Sequence, residues 1–394
     1  MSLFAQHGYG KSSKIEKAIT SGDLAGVILS PKAESPQKLI DYSSELHTKF
    51  PMIKVYFDPQ FYICGLQGEV TAGKLIEYPY YTGGLTRSSL SIPTNLRNFT
   101  QDVLGFQRSL NLSAFFSPTI AFDNFDGRES QTAISLAYES IGAVGTSDIY
   151  ISLCIHENAF RNTTAMEEFL NVISLLDTKG FYIIIERSNS TDKSTSVNSS
   201  ALANIMKFIY ILSEINGFDV IMGYSDLLSV LFATVGHPDF CCGWYNNLKM
   251  FSESNFRPST GGRRPRKRYT SGILMSSLLL VPEIATLNRM GISPQIMTES
   301  PYNSIVSPTM DDARWTDEIS CLHNWHILNN LLHDIEPLSS VPTKLNYLTE
   351  KILQASQVYR TINERFPSLD AKSNNSHLNI WLAAISDFRD QVGV

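Results

Sequence analysis

Short apolar runs alternate with amphipathic stretches along most of the chain. Seven of these runs have the length and the continuous hydrophobicity of buried parallel strands, and most are followed by a stretch with helical spacing. The predicted strands cover residues 24–31, 53–57, 113–122, 148–155, 180–185, 220–222 and 240–244. Continuous hydrophobicity is what a strand needs when both faces of its sheet are covered by helices. The pattern therefore predicts an α/β fold.

Seven such units favour a (β/α)8 barrel of the TIM-barrel type, with a doubly wound open parallel sheet as the alternative. The eighth strand is the open question. Residues 273–281 (ILMSSLLLV) fit either that strand or a closing helix. Residues 65–93 are rich in Gly, Tyr, Ser and Thr and lack a clear period, which predicts a long inserted loop.

The pattern changes after Pro282. Three long helical stretches, at 311–335, 347–366 and 377–392, are joined by links rich in Pro and Ser. They fit the last barrel helices followed by a C-terminal extension. We therefore predict a barrel domain over residues 1–300, including the insertion, and a helical segment over residues 301–394 packed on it.

Composition places the chain among ordinary globular proteins, with 43% hydrophobic residues, 18% charged residues and a net charge of −6. The five cysteines form no CxxC pair, which favours a reduced, cytoplasmic protein. No apolar run approaches about 20 residues, so no membrane span is expected. The N-terminal residues also lack the apolar stretch of a signal peptide.

Acidic residues and a histidine follow the predicted strands. In a barrel these side chains would surround one mouth, where they can act as acid, base or nucleophile, or bind a divalent cation. The alternative is structural, because Asp-Pro and Asp-Gly are ordinary turn sequences and Asp226 can cap a helix. The set comprises Asp58, Asp123, Asp126, His156, Glu157, Glu186 and Asp226.

Glu186 is the first catalytic candidate. It follows three isoleucines, so desolvation at the strand end would raise its pKa and suit it to proton transfer, although an ion pair with Arg187 is the alternative. Asp58 ranks second because Pro59 ends its strand. The remaining catalytic candidates are Asp126, His156 and Asp226.

Metal and cofactor motifs are weak. His323 and His326 share a helix face with Cys321 nearby, but no fourth ligand is evident. The chain also lacks a Walker motif and a GxGxxG sequence after a strand. We therefore predict neither a metal nor a cofactor.

A basic loop at residues 257–269 stands out against the acidic background. A Gly pair lets the backbone approach a ligand, and guanidinium groups bind phosphate in bidentate fashion. The predicted phosphate ligands are Arg263, Arg264, Arg266, Lys267 and Arg268, with Tyr269 or Trp244 available to stack on a base. The alternatives are a solvated loop, or a docking surface for an acidic partner. A nucleotide or nucleic acid is thus a candidate partner, and the C-terminal helices are candidate contacts for a protein.

The order of features between Met222 and Arg268 resembles the closing half of the tRNA-guanine transglycosylase barrel. In that family too, a Gly-rich strand end, a helix and a strand precede an Arg-containing loop. The resemblance covers about a fifth of the chain and implies a barrel fold. The family's zinc site, a run of cysteines with a histidine, has no counterpart in this sequence, so the resemblance implies no metal and transfers no functional residue.

Two functional hypotheses follow. In the first, the chain is a barrel enzyme that acts on a nucleotide, a nucleic acid or another phosphorylated ligand through carboxylate acid–base or nucleophilic chemistry. In the second, it is a catalytically inactive barrel that serves as a binding or scaffolding subunit of a larger complex, such as one that processes nucleic acid. The spaced carboxylates favour the first hypothesis, and the missing cofactor motifs favour the second.

Overall fold

A computed structural model describes residues 1–144, 148–188, 195, 197–258, 261, 266–306, 314–365 and 368–394. Nine parallel strands form a nearly closed barrel. They occupy eight positions around its axis, because two short strands both pair with the same neighbouring strand. The strands are β1 Leu3–Gln6, β2 Gly26–Leu29, β3 Lys54–Phe57, β4 Phe115–Phe116, β5 Ala121–Phe122, β6 Ile149–His156, β7 Gly180–Glu186, β8 Asp219–Gly223 and β9 Asp239–Cys242. The predicted TIM-barrel-like α/β fold is confirmed.

Closure of the barrel depends on β1, which pairs in parallel with both β2 and β9. In register, Ala5 lies opposite Val27 on one side and Cys242 on the other. The seam between β3 and β4 is bridged by the Ser113 N–H, which donates to the Val55 carbonyl oxygen at 2.8 Å. A sheet whose first and last strands pair is not the open doubly wound sheet.

The eighth strand is therefore Leu3–Gln6 at the N-terminus, and both interpretations of residues 273–281 are wrong. That stretch contributes to an antiparallel hairpin, β10 Arg268–Ser271 with β11 Ser276–Leu279, which forms a separate two-stranded sheet. The predicted strand at 113–122 is also divided into β4 and β5, and both parts pair with β6. Pro118 lies between them and has no N–H to donate to a ladder.

Helices follow most of the barrel strands and cover the outside of the barrel, and further helices lie in the insertion and in the C-terminal part. They are α1 Lys14–Thr20, α2 Pro36–Lys49, α3 Arg87–Leu90, α4 Pro93–Gln107, α5 Arg128–Val144, α6 Thr163–Ile173, α7 Ser199–Tyr210, α8 Leu228–Phe232, α9 Asn246–Lys249, α10 Ala285–Arg289, α11 Asp317–Ile335, α12 Val341–Arg365 and α13 Ser376–Val392. The insertion at 65–93 is not a loop throughout, because it contains α3 and a 3-10 turn at Gly73–Glu77. In the ranges described, no helix combines the length and apolar character needed to cross a membrane.

Local sequence explains where these helices begin and which face they bury. Asn162 caps α6 by accepting a hydrogen bond from the Ala165 N–H at 3.2 Å. Met166, Phe169 and Ile173 recur at helical spacing and are buried. The apolar face of α6 therefore packs on the barrel, as its periodicity predicts.

The C-terminal helices pack on the barrel and on its outer helices. Helix α11 packs against β1 and between α1 and α8, which is the position of the helix after the last strand. The Trp325 Nε1–H fixes it there by donating to the Cys242 carbonyl oxygen at 3.1 Å. Helix α13 packs on α7, with the rings of Phe388 and Tyr210 5.6 Å apart. The domain boundary at residue 300 stays a prediction.

The barrel interior is filled by aromatic side chains. Phe116 lies between Tyr56 and Tyr182, with ring centroids 5.2 and 4.5 Å away, and Phe4 meets Tyr56 at 5.5 Å. These residues come from four different strands, so their rings meet on the barrel axis. The interior is thus a packed core, and any ligand must bind at the strand ends.

Candidate active site

A cleft of about 860 Å³ opens at the carboxyl ends of β5, β6 and β7. Asp123 follows β5, His156 ends β6 and Glu186 ends β7, and all three line the cleft. Parallel strands in a barrel end at the same rim, which is why residues distant in sequence meet here. Three members of the strand-end set predicted from the sequence therefore share one cavity.

Glu186 is nearly buried in the wall of this cleft, with 8% of its surface exposed. Its Oε1 accepts a hydrogen bond from the Glu253 N–H at 3.2 Å. Burial is the main reason that the pKa of Glu186 is raised to about 7. The Glu253 carboxylate also raises this pKa, and its effect is larger than the opposing effect of the hydrogen bond from the Glu253 N–H. A carboxyl group with that pKa carries a proton in about half of the molecules at neutral pH.

His156 is half-buried beside Glu186. Its Nδ1 accepts a hydrogen bond from the Asn158 N–H at 3.2 Å, so the ring hydrogen of the neutral imidazole is on Nε2. Burial lowers the pKa of His156, against the opposing effect of the Glu157 carboxylate. The imidazole is therefore mainly neutral at pH 7.

Arg187, in the wall of the cleft, forms an ion pair with Glu157, which does not itself line the cleft. The Arg187 Nε–H donates to Glu157 Oε2 at 2.8 Å, and Ser188 donates to Oε1 from its N–H at 2.9 Å and its hydroxyl at 2.6 Å. Burial would raise the pKa of Glu157, but Arg187 and Ser188 hold it below its usual value. Glu157 is thus a charged residue that positions Arg187, which lines the cleft.

Residues 250–257, which we call the covering segment, pass over the rest of the barrel mouth. The Arg187 N–H donates to the Phe251 carbonyl oxygen at 2.9 Å, and the Lys32 Nζ donates to the Asn255 carbonyl oxygen at 2.6 Å. The Thr71 N–H, from the 65–93 insertion, donates to the Phe256 carbonyl oxygen at 2.7 Å. The covering segment is therefore held from three sides of the barrel.

The covering segment brings Glu253 into the cleft, a residue that the sequence did not indicate. Glu253 follows no strand and belongs to no periodic pattern, so only the path of the loop places its carboxylate beside Glu186. Arg257 forms an ion pair with Glu253 and donates to the Glu69 carbonyl oxygen at 3.2 Å. Arg257 thus links the covering segment to the insertion.

Asp58 lies beneath this surface and does not line the cleft. It is 1% exposed and accepts hydrogen bonds from the Gln60 N–H at 3.0 Å and the hydroxyls of Tyr62 and Tyr182 at 2.8 and 3.4 Å. Burial raises the pKa of Asp58 to about 6, and these hydrogen bonds oppose the rise. Tyr62, which lines the cleft, lies between Asp58 and the cavity.

The other two predicted carboxylates also lie outside the cleft. Asp126 is exposed just before α5. Asp226 is buried and forms an ion pair with Lys249 at 3.3 Å, while its Oδ1 accepts a hydrogen bond from Asn324 at 3.3 Å. The structure therefore brings together Glu186 and His156, and it separates them from Asp58, Asp126 and Asp226.

The basic loop does not line the cleft in the part of the chain that is described. Arg263 and Arg264 fall outside the described residues. Arg266 and Arg268 each form an ion pair with Asp370 at 2.5 Å, and Lys267 between them is half-buried.

The two aromatic candidates have structural contacts. The Tyr269 ring is fully buried, 4.3 Å from His323 and 5.7 Å from Trp315, so it offers no free face to a base. Trp244 is half-buried, and its Nε1–H donates to the Tyr9 carbonyl oxygen at 2.9 Å.

The histidines of α11 are engaged in hydrogen bonds. His323 bonds to the Thr270 carbonyl oxygen at 2.9 Å and to Ser300 Oγ at 3.0 Å. His326 bonds to Asp23 at 2.8 Å and to Asn330 at 3.1 Å. Within the described ranges, no group of three or more His, Cys, Asp or Glu side chains is arranged to hold a metal ion.

The cleft carries an excess of negative charge. Among its described lining residues, Arg87 and Arg187 are the cations. Arg87 forms an ion pair with Glu129 of the wall, and Arg187 forms one with Glu157, which does not line the cleft. The lining carboxylates are Asp123, Glu129, Glu186 and Glu253. A neutral or cationic group is therefore the better match for this surface than a phosphate.

Comparison with known proteins adds no family to this description. No family model matches the chain, no curated protein matches it, and no solved structure matches it. The resemblance to tRNA-guanine transglycosylases stays a prediction. The fold and the cleft define a TIM-barrel-like protein with an acidic cavity at its strand ends.

Proposed function

We propose that the chain is a barrel enzyme in which Glu186 acts as a general acid on a polar ligand bound in the strand-end cleft. One observation carries this proposal: Glu186 is nearly buried in the wall of an 860 Å³ cleft and has a pKa of about 7. A carboxyl group is an effective proton donor when its pKa lies near the working pH. Ordinary exposed carboxylates, with a pKa near 4, hold almost no proton at neutral pH.

The neighbouring groups fit the same chemistry. The neutral His156 can donate a hydrogen bond to a ligand from its Nε2–H, because its Nδ1 already accepts one from the Asn158 N–H. The charges of Asp123 and Glu253 would stabilise positive charge that develops on a ligand. A nucleotide or nucleic acid remains our proposed substrate class. Its sugar or base, rather than its phosphate, would then lie against the carboxylates.

A reduced compartment also suits the cysteines. All five are free and buried: Cys64, Cys154, Cys241, Cys242 and Cys321. We propose a cytoplasmic location on this basis.

The test is a substrate search with a matched pair of variants. The purified protein is incubated with a metabolite extract and, separately, with total RNA, and the changes are followed by mass spectrometry. The Glu186→Gln variant keeps the shape of the site but has no titratable carboxyl group, and Asp126→Asn is the control because Asp126 is exposed outside the cleft.

We expect a compound that is consumed by the unmodified protein and by Asp126→Asn, and at least about 100-fold more slowly by Glu186→Gln. If Glu186→Gln turns the compound over at the unmodified rate, Glu186 is not the acid. If neither extract changes, the enzymatic proposal loses its support.

A binding role is the second candidate, and one surface favours it. Leu175 after α6 and Ile215 after α7 are 81% and 60% exposed. The Asn216 side chain donates to Ser174 Oγ at 2.7 Å, which keeps these two apolar residues close together. A cellular function that is lost in a Leu175→Ser, Ile215→Ser double variant but retained in Glu186→Gln would favour the binding role.

A further inference from the structure

A second cavity of about 70 Å³ lies between the barrel and its C-terminal additions. Its walls come from the residues that follow β8, from α9, from the hairpin strands β10 and β11, and from the link between α12 and α13. We infer that this cavity binds a small tetrahedral oxyanion, either inorganic phosphate or the phosphate of a monoester. The inference does not depend on the role of Glu186.

The charge of the lining favours an anion. Lys249, Arg268 and Lys372 all line the cavity, and Asp226 supplies the single carboxylate among the described lining residues. Asp226 forms an ion pair with Lys249 at 3.3 Å. Asp370, nearby, is shared between Arg268 and Arg266, so one carboxylate faces two guanidinium groups. Three cations and one carboxylate thus line the cavity among the described residues.

Arg268 is held in a fixed orientation. Its Nη1–H group donates to the Ser277 carbonyl oxygen at 2.7 Å and to Ser373 Oγ at 3.0 Å, and its Nη2–H group donates to Asp370 Oδ1 at 2.5 Å. A guanidinium group held from several sides loses little side-chain entropy when a ligand binds. This is the arrangement expected of a preorganised anion site.

Thr195 provides an independent observation. Its side chain is fully buried and lines the cavity, and its Oγ1 has no hydrogen-bond partner among the described residues. The Trp381 Nε1–H donates to the Thr195 carbonyl oxygen at 3.3 Å and anchors the residue to α13. An unpaired buried hydroxyl is costly, and a phosphate oxygen would supply its missing partner.

The size of the cavity suits a polyatomic ion. A single water molecule requires about 10–15 Å³ measured in the same way. The volume of about 70 Å³ is several times larger, while it is far smaller than the strand-end cleft. A nucleoside would not fit, but a phosphate group has room.

The position of the cavity relates it to the cleft. Met250 lines the cavity and Glu253 lines the cleft, and both belong to the covering segment. Three residues of extended chain span at most about 11 Å, so the two sites are close neighbours.

The test is isothermal titration of the full chain with inorganic phosphate at constant ionic strength. Glycerol 3-phosphate serves as the monoester, and glycerol serves as the neutral control. We expect saturable binding of phosphate, of the monoester, or of both, and no binding of glycerol. Binding of phosphate alone identifies a site for the free ion, and binding of the monoester identifies a site for a phosphorylated ligand.

Variants tie the binding to this cavity. Lys372→Met removes one cation and should weaken binding at least about tenfold, because a charge-assisted hydrogen bond is lost. Thr195→Val keeps the side-chain shape, removes the hydroxyl and should weaken binding about threefold to tenfold. Lys49→Met, an exposed lysine of α2 away from the cavity, should bind as the unmodified chain does.

Absence of saturable binding by both phosphate and the monoester overturns the inference, as does binding that neither Lys372→Met nor Thr195→Val weakens. Circular dichroism and thermal unfolding without phosphate identify a variant that has failed to fold, and the other variant then decides. Glu186→Gln should bind phosphate normally, so failure of the anion site and failure of the catalytic proposal are distinguishable.

Discussion

The mouth of this barrel is divided into two regions with opposite character. Over β5, β6 and β7 it is open, and Glu186 lies in the wall of a large acidic cleft. Over the rest of the mouth the covering segment closes it, and Asp58 is sealed beneath Tyr62. Glu186 is the last residue of β7 and Asp58 directly follows β3, and burial raises the pKa of both.

What separates the two carboxylates is their hydrogen bonding and their access to a ligand. Asp58 accepts hydrogen bonds from one N–H and two tyrosine hydroxyls, whereas Glu186 accepts one from the Glu253 N–H and borders open space. A perturbed pKa alone therefore does not identify a catalytic group. Asp58 thus contributes to the stability of the barrel, and Glu186 carries its proposed chemistry.

The largest expected effect comes from removing Asp58. Asp58→Ala leaves the Tyr62 and Tyr182 hydroxyls buried without their acceptor, and should lower the free energy of unfolding by about 2–5 kcal/mol. Asp123→Ala, in the exposed wall of the cleft, should change it by less than about 0.5 kcal/mol. Urea unfolding at pH 4, where Asp58 is protonated in the folded chain and its raised pKa does not offset the loss, measures both values. Equal effects of the two substitutions would remove the distinction between the sealed and the open region.

The next effect is a gain in stability. Glu186 has a pKa of about 7 in the folded chain and an ordinary value of 4.5 when unfolded. The folded state holds this proton more tightly, so the stability of the unmodified chain falls as the pH rises from about 4.5 to 7. Glu186→Gln does not titrate. Relative to the unmodified chain, its free energy of unfolding should therefore increase by up to about 3 kcal/mol as the pH rises from 4 to 8.

Urea unfolding of both proteins across this pH range checks the difference. A difference that does not vary with pH would mean that the pKa of Glu186 is not raised.

Glu157 should show the opposite dependence. Arg187 and Ser188 hold its folded pKa below 4.5, despite burial, so its stabilising contribution is complete above about pH 4.5 and is lost at lower pH. Glu157→Gln should lower the free energy of unfolding by about 2 kcal/mol at pH 7, because charge-assisted hydrogen bonds are weakened. The cost should shrink as the pH falls through the folded pKa. A cost that grows toward acid pH would contradict the assignment of Glu157 as the charged, positioning carboxylate.

The smallest effect is expected at the basic loop. Arg266 is exposed and its ion pair with Asp370 is screened by solvent, so Arg266→Gln should lower the free energy of unfolding by less than about 1 kcal/mol. Added salt should reduce even this difference. Thermal unfolding at low and high salt measures it, and a large, salt-independent loss would mean that the loop has a structural role.

The sequence predicts most of the barrel because its strands are continuous apolar runs. Residues 148–155 and 180–185 correspond closely to Ile149–His156 and Gly180–Glu186. The first strand was missed because Leu3–Gln6 has four residues, one of them polar, and no pattern around it. Pairing with β2 and β9, at opposite ends of the barrel sequence, defines this strand, and such long-range pairing leaves no local signal.

The sequence predicts only part of the candidate site. Glu186 and His156 could be found because strand ends in a barrel share a rim. The burial of Asp58 could not be predicted, because it depends on the packing of Phe251 and Phe256, in the covering segment, over Tyr62. Glu253 reaches the cleft on the same segment. Its position follows from tertiary contacts, such as the Lys32 hydrogen bond to Asn255, that no local pattern encodes.

The most direct test of the central claim is the pKa of Glu186 itself. A pH titration of the full chain labelled with 13C at the glutamate carboxyl carbons, compared with the Glu186→Gln variant, identifies its resonance by difference. A midpoint of about 7 agrees with a buried carboxyl group that carries a proton near neutral pH. A midpoint near 4.5 would mean that Glu186 is an ordinary carboxylate and would contradict its role as the general acid.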